Sequence, residues 1–276
     1  MNKLKLKAFA KINLGLNIVS KRKDGFHNLE TFFYPLNNLF DILTFEKSDR
    51  FIFTTNNTLL EKEENNLIIS AHNLIEIFTQ KKLSVKIYLE KNIPIGAGLG
   101  GGSSDAAVTL LALNKFFNLN ITKEQLKNIA LQLGSDVPFF LENSSAVGKS
   151  RGEILEPSAI KITKPILIVN PGIHISTKEA FENILPKESN FNYNYFLTSE
   201  KIDYNYLKKN LTNDFEDFAF NKHPEIKKIK ETMYQQNALF SLMSGTGSTV
   251  YGIFDNLDKA ESCLRNLPNK YFKKIL

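Results

Sequence analysis

The chain has 276 residues, 42% of them apolar and 23% charged, enough to bury a full core with room for two packed domains. Its formal charge of +6 comes from 35 dispersed Lys and Arg with no basic stripe interleaved with aromatics, so no nucleic-acid partner is expected and a small anionic one accounts for the charge. A single cysteine, Cys263, excludes an intramolecular disulfide framework or a cysteine-rich metal site, and with no apolar leader or bilayer-length run read in the sequence the cytoplasm is the default expectation, with no membrane partner expected.

Residues 7–18 alternate with period two and predict a strand. Ala8, Ala10, Ile12, Leu14, Leu16 and Ile18 share one face; Phe9, Lys11, Asn13, Gly15 and Asn17 share the other, which either meets solvent or lines a cleft. Asp24–Gly25 makes a turn before Phe26 and His27, and a lone histidine of this kind is more often structural than catalytic. Strands are expected over 29–36, 39–46 and 51–54. Asn65 or Asn66 precedes a helix over 67–78, with apolar residues at Leu67, Ile68, Ala71, Leu74, Ile75 and Phe78. A strand over 83–89 leads into a glycine-rich stretch, and 104–117 forms the helix behind it. Thr122 and Gln125 make a capping box for a helix that stops at Gly134. Asp136 then precedes the apolar run Val137–Leu141; it either caps a short turn or is a carboxylate held where helix and strand meet.

A domain boundary falls near 154–164, dividing the chain into 1–157 and 158–276. Beyond it come a short buried strand over 165–169, ended by Asn170-Pro171-Gly172, and a capping box at Ser176 and Glu179. The helix it opens carries Thr177 and Phe181 four apart on one face. Residues 186–200 read as a polar loop, followed by helices over 204–211, 214–220 and 225–236. Strands 238–243 and 249–254 flank the turn Ser244-Gly245-Thr246-Gly247-Ser248, and a helix over 257–267 and a strand over 271–275 follow. Helices, hairpins and mixed strands in two halves make the fold class α+β.

The most informative stretch is Pro94-Ile95-Gly96-Ala97-Gly98-Leu99-Gly100-Gly101-Gly102-Ser103-Ser104, with five glycines in seven residues before a helix-forming run. Glycines are kept at such density where φ must be positive or a ligand approaches closely, and the free N–H groups of loop and first helical turn converge on an anion. Gly96, Gly98 and Gly101 satisfy a dinucleotide fingerprint, but the acidic residue due about 20 positions on is missing from 116–122. A Walker A loop fails because no Lys precedes Ser103, and a protein-kinase loop fails because no H-R-D segment follows. A serine-ended glycine loop with its own helix remains.

That loop resembles the phosphate loop of the GHMP small-molecule kinases. Ala10-Lys11-Ile12-Asn13-Leu14, Asp24-Gly25-Phe26-His27, Leu133-Gly134-Ser135-Asp136-Val137-Pro138, Asn170-Pro171-Gly172 and Ser244-Gly245-Thr246-Gly247 extend the resemblance from about residue 4 onward. They are similar to the branch of that family whose substrate is a cytidine-diphosphate-linked methylerythritol. The resemblance implies a two-domain GHMP kinase fold, with an N-terminal ribosomal-protein-S5-like domain and a C-terminal ferredoxin-like α/β sandwich. It implies transfer of the γ-phosphoryl of ATP to an alcohol, with Asp136 as the base and Lys11 beside it. Mg2+ would be carried by the nucleotide, with no dedicated protein ligand for the metal. Asn66 and Lys91 would sit by the adenine, and Pro94 to Ser104 would hold the phosphates. Asn13, Phe26, His27, Thr177 and Phe181 would bind the cytidine, with Phe26 and Phe181 as a sandwich, and Gly245 and Thr246 would close over the substrate's phosphate side. Phe26 stands where the family has Tyr, which keeps a stacking ring and removes a hydroxyl. The partner is then a small molecule with a cytidine diphosphate moiety, and the protein a monomer or weak dimer. A GHMP kinase for another alcohol, or a nucleotide-binding protein without kinase activity, are the rival readings.

Overall fold

The computed structural model describes residues 2–61 and 66–276, so Asn65, one of two candidate helix caps, lies outside the described residues. Two long strands come first, β1 (Lys3–Lys21) and β2 (His27–Lys47), and they pair with each other. They are followed by β3 (Ile52–Thr55), α1 (Thr58–Glu61), α2 (Leu67–Thr79), β4 (Val85–Glu90), α3 (Gly101–Phe116), α4 (Lys123–Leu133) and α5 (Val137–Glu142). Next are β5 (Ala146–Lys149), β6 (Ile154–Pro157), β7 (Ile166–Asn170), α6 (Thr177–Glu182), α7 (Tyr195–Thr198), α8 (Tyr204–Asn210), α9 (Glu216–Lys222) and α10 (Pro224–Gln235). β8 (Phe240–Met243), β9 (Val250–Ile253), α11 (Leu257–Arg265) and β10 (Phe272–Ile275) complete the series.

These elements form two compact units: residues 1–10, 36–95 and 100–143 in one, and 11–35, 96–99 and 144–276 in the other. The boundary expected near 157 divides the chain by sequence, whereas these units interleave along it. In the first unit, the distal part of β2 pairs antiparallel with β4, from Ile42 opposite Glu90 to Lys47 opposite Val85, and β4 pairs parallel with β3. α3 buries Ala106, Ala107, Val108, Leu110, Ala112 and Leu113, and α2, α4 and α5 pack against it. α4 opens with the full capping box: Thr122 Oγ1 accepts from the Gln125 N–H while Gln125 Oε1 accepts from the Thr122 N–H.

In the second unit the proximal part of β2 pairs with β5, and β5 with β6. A separate four-stranded antiparallel sheet has the order β10-β7-β9-β8. Numbered within that sheet the order is 4-1-3-2, with helices between the first and second and between the third and fourth strands, the ferredoxin-like arrangement. Its core gathers Leu167, Val169 and Val250 from the strands and Phe254 just past β9 with Ile229, Met233, Ala260 and Cys263 from the helices.

The structure departs from the sequence expectation at five places. Residues 29–46 form one strand and not two; Pro35 lies between the stretches that pair with β5 and β4, so its missing N–H takes a bond from neither ladder. The run after Asp136 is a helix, because Pro138 sits in its first turn, where its fixed φ is favourable. α3 begins at Gly101, three residues early: a Cβ there would come within 3.0 Å of Ile93 Cγ2 and of Lys91 Nζ. Residues 186–200 hold α7 and bury Phe191, Tyr193 and Phe196, whose apolar area outweighs their polar neighbours. Ser176 accepts from the Glu179 N–H, but the Glu179 carboxylate binds Lys222 and does not return to close a capping box. Thr122→Ala removes one arm of the α4 box and is expected to lower stability by about 1 kcal/mol in urea unfolding, with an unchanged m-value.

Candidate active site

The polar face of β1 is not solvated. Lys11, Asn13 and Asn17 are each no more than 3% exposed, so every polar group there needs a protein partner. Lys11 Nζ donates to Asn13 Oδ1 at 2.5 Å, and Asn13 Nδ2 donates to Thr31 Oγ1 at 2.9 Å. The Thr31 hydroxyl in turn donates to Gly15 O at 2.6 Å. The backbone of Asn13 is engaged as well: its N–H donates to Ser244 Oγ at 3.2 Å, and its carbonyl accepts from the Tyr251 hydroxyl at 3.0 Å.

Ser244 joins this strand to the glycine loop. Its hydroxyl donates to Gly98 O at 2.8 Å, and the Lys11 N–H donates to Leu99 O at 2.9 Å. Gly98 has φ +75°, and a Cβ on it would lie 2.0 Å from Ser244 O, so no other residue fits. Gly245 faces it from the other side, its own virtual Cβ 3.2 Å from Gly98 O. Thr246 Oγ1 and Thr177 Oγ1 are 3.4 Å apart. Lys11, Asn13, Ser244 and Gly98 are thereby linked in one network, with Gly245 packed against Gly98.

The cap residue of α3 is Gly100, which has φ +70° and offers no side-chain cap. Its first-turn N–H groups therefore lack intrahelical acceptors and present a positive end. Behind this turn Lys91 Nζ lies 2.6 Å from Asp41 Oδ2 and 2.6 Å from Asp105 Oδ2, all three side chains being at most 5% exposed. Asp41 Oδ1 accepts from the N–H groups of Asn92 and Ile93 at 2.6 and 2.8 Å. Asp105 Oδ1 has no hydrogen-bond partner among the described residues. Burial pushes the Asp105 carboxyl up to about 8, opposed by Lys91 and reinforced by Asp41. Burial alone would disfavour the Lys91 ammonium, but the two carboxylates outweigh it and raise its pKa. The ammonium of Lys91, a residue expected beside an adenine, is committed to Asp41 and Asp105. Asn66 Oδ1 accepts from the Ile68 N–H at 2.9 Å, so part of that amide serves as a helix cap.

Asp136 occupies the cap position of α5 in an αR conformation, and its side chain makes no capping bond. Phe26 is 48% exposed, with the Arg151 guanidinium 3.8 Å above its ring. His27 stacks on Phe181 at 5.2 Å and 28°, and Phe181 meets the edge of Phe215. The expected aromatic sandwich of Phe26 and Phe181 therefore has His27 against one of its slabs and Arg151 against the other. Burial, and then the charge of Lys21, lowers the His27 pKa, which favours a neutral imidazole with one donor and one acceptor. Sequence reasoning missed Asp41, Asp105 and Arg151; Asp105, directly after the serines of the loop, was the one with a positional signal. Among the described residues no three His, Cys, Asp or Glu side chains gather to hold a metal, and no helix is long and apolar enough to cross a membrane.

Comparison with known proteins places these features in a family. Residues 66–143 match the GHMP kinases N terminal domain, and residues 197–274 the GHMP kinases C terminal family. The chain is 41% identical over 275 residues to 4-diphosphocytidyl-2-C-methyl-D-erythritol kinase of Thermoanaerobacter pseudethanolicus, covering 98% of this chain and 94% of that protein. It is 40% identical over 272 residues to the enzyme of the same name from Cytophaga hutchinsonii, covering 94% and 98%. A crystal structure of 4-(cytidine 5'-diphospho)-2C-methyl-D-erythritol kinase superposes with TM-score 0.81 at 32% identity, covering 99% of this chain and 98% of that one. Homoserine kinase from Cytophaga hutchinsonii, at 16% identity and TM-score 0.76, shares the fold.

Two stability measurements check this geometry. Gly98→Ala is expected to destabilise by more than about 1 kcal/mol in thermal unfolding, since the backbone must move to admit the methyl group. Asp105 has a folded pKa above its ordinary value of 3.8, so its protonated form favours folding: its stabilisation is complete below that value and is lost as pH rises through about 8. Asp105→Asn, neutral throughout, is expected to flatten the fall in urea midpoint between about pH 5 and pH 9. Parallel wild-type and variant profiles would contradict it.

Proposed function

The chain belongs to the 4-diphosphocytidyl-2-C-methyl-D-erythritol kinase family of the GHMP kinases, and from that premise we propose how its residues divide the work. The reaction is ATP-dependent phosphorylation of the 2-hydroxyl of 4-diphosphocytidyl-2-C-methyl-D-erythritol, giving the 2-phosphate and ADP, in non-mevalonate isoprenoid precursor biosynthesis. In this proposal the stretch Pro94 to Ser104 cradles the ATP phosphates with backbone N–H groups. The positive φ at Gly98 and the uncapped first turn of α3 support that role. ATP supplies the γ-phosphoryl group, and Mg2+ arrives on its phosphates to offset their charge. Asn66 and the stem of Lys91 are assigned to the adenine.

Phosphoryl transfer leaves little covalent chemistry to the protein, so positioning and charge dominate. Asp136 is assigned as the group that takes the hydroxyl proton, late, as bond formation acidifies the alcohol. Lys11 is assigned to the charge that develops on the oxygen, and its bond to Asn13 keeps the ammonium from swinging. What supports the reading most is the buried network through Lys11, Asn13, Ser244 and Gly98, which fixes a cation and the phosphate loop in one frame.

Phe26, His27 and Phe181, with Asn13 and Thr177, are assigned to the cytidine, and Gly245 and Thr246 to the substrate's phosphate side. A phenyl ring stacks on a base for roughly 1–3 kcal/mol, so Phe26 in place of Tyr keeps the base recognised. Because Arg151 covers one face of Phe26, the cytosine either displaces that guanidinium or takes the opposite face. A neutral His27 can both donate to and accept from a base edge. The same proposal has the enzyme act as a monomer or weak dimer in the cytoplasm, without nucleic-acid or membrane partners. The division of the chain at 157/158 into two GHMP domains belongs to it also.

An ADP-release assay across the cytidine substrate, mevalonate, homoserine and galactose tests the assignment, with turnover expected only for the first. Asp136→Asn is expected to lower kcat with that substrate by about 10²–10⁴-fold. Unchanged ADP release in the variant would sink the role of Asp136.

A further inference from the structure

We propose that Asn213, supported by Glu216, is a positioning residue that sets the Ser244–Gly245 turn and, through Ser244, the backbone at Gly98 and Asn13. The inference rests on the reading above that this turn and the glycine loop handle the phosphates. Asn213 is 3% exposed and precedes α9. Its Nδ2 donates to Met243 O at 2.8 Å and to Gly245 O at 2.8 Å. Both amide hydrogens are thus used, on carbonyls that lie on either side of Ser244. Its Oδ1 accepts from the Phe215 N–H at 3.0 Å, which fixes the rotation of the amide and so the direction of both donors. Glu216 Oε1 accepts from the Met243 N–H at 3.0 Å, while Lys230 Nζ donates to Glu216 Oε2 at 2.6 Å. The Met243 residue is therefore held at its N–H and at its carbonyl by two side chains of one short segment.

That segment is itself referenced to β1, the strand that bears Lys11 and Asn13. The Leu16 N–H donates to Thr212 O at 3.0 Å, and the Asp214 N–H donates to Leu16 O at 2.9 Å. Asp214 adds side-chain bonds, accepting from the Ile18 N–H at 2.8 Å and from Asn17 Nδ2 at 3.0 Å. The path runs from β1 through residues 212–216 to the turn, and from Ser244 back to Asn13 on β1 and to Gly98 on the loop. A closed circuit of this kind removes the freedom of a glycine-containing turn to drift. Strand β8 does not need Asn213 to exist, since its pairing with β9 runs through Met243 opposite Val250 and its side chains are buried. What Asn213 adds is the position of the residues just past the strand's end.

The chemistry of the position is specific to an amide. A carboxylate of the same shape would set an oxygen against two carbonyl oxygens, and a hydroxyl can donate only once. Asn213→Ser keeps an acceptor for the Phe215 N–H, and with it the start of α9, but cannot hold both carbonyls. Asn213→Ser, Asn213→Ala, Ser244→Ala and the two double variants are to be compared for folded fraction, ATP Kd by calorimetry, and kcat and KM with the cytidine substrate. Asn213→Ser is expected to remain folded and to lose about 10²-fold in kcat/KM per folded enzyme, the scale of an ångström misplacement. In the Ser244→Ala background the same change is expected to cost less than about 3-fold, because the path it acts through is gone. Unchanged kinetics per folded enzyme, or losses in the double variants equal to the product of the single losses, would overturn the proposal. If the wild type binds ATP but does not phosphorylate the cytidine substrate, the functional reading fails, and the Asn213–Ser244 coupling is still decided by the ATP Kd values.

Discussion

A single hydroxyl holds the backbone of the candidate site together. Ser244 Oγ accepts from the Asn13 N–H and donates to Gly98 O, so three segments distant in sequence meet at one oxygen. The glycines of the loop and of the 244–247 turn follow from that meeting. At Gly98 a side chain would strike the Ser244 carbonyl, and Gly245 approaches Gly98 from the other side. The contact leaves no room for a Cβ at Gly98 and a tight fit for one at Gly245. Glycine is demanded here by mutual approach as much as by an anion, and the result is a fixed backbone in spite of its glycine content.

Charge is buried in each compact unit under the same rule, that an ion without partners is not tolerated away from water. In the first unit Asp41 receives two backbone N–H groups and shares the Lys91 ammonium with Asp105. This arrangement fixes the end of β4 and the first turn of α3 together, at the expense of one carboxylate too many for a single cation. Burial raises the Asp105 pKa, and the neighbouring Asp41 carboxylate adds to it against the pull of Lys91. In the second unit Lys230 answers Glu216, and Asp214 is satisfied by β1.

Local signals carried most of the fold into the sequence. Thr122 with Gln125, Gly134, Asn66 and the Ser244–Ser248 turn act through neighbours a few residues away, and period-two or helical patterning located β1, α2 and the sheet of the second unit. What was not legible depends on distant residues. The Lys91 ammonium reads as available until Asp41 and Asp105 are brought to it by folding. Phe191, Tyr193 and Phe196 are diluted by polar neighbours and declare themselves only by burial. Asn213 lies in a segment that reads as the approach to a helix, and its two carbonyl partners are about thirty residues away. The family's motifs pointed to Lys11 and Asp136, while the side chains that hold the turn and the loop in place carry no motif of their own.

The lone thiol has a use that its chemistry denies it in the folded state. Cys263 sits fully buried in the core of the second unit, and burial pushes its pKa to about 11. Thiolate is the reactive form, so alkylating reagents meet neither an accessible sulfur nor an ionised one while the core is closed. With no second cysteine and no tryptophan in the chain, each labelling event counts one opening of that core, which makes the residue a native clock for unfolding under ligand.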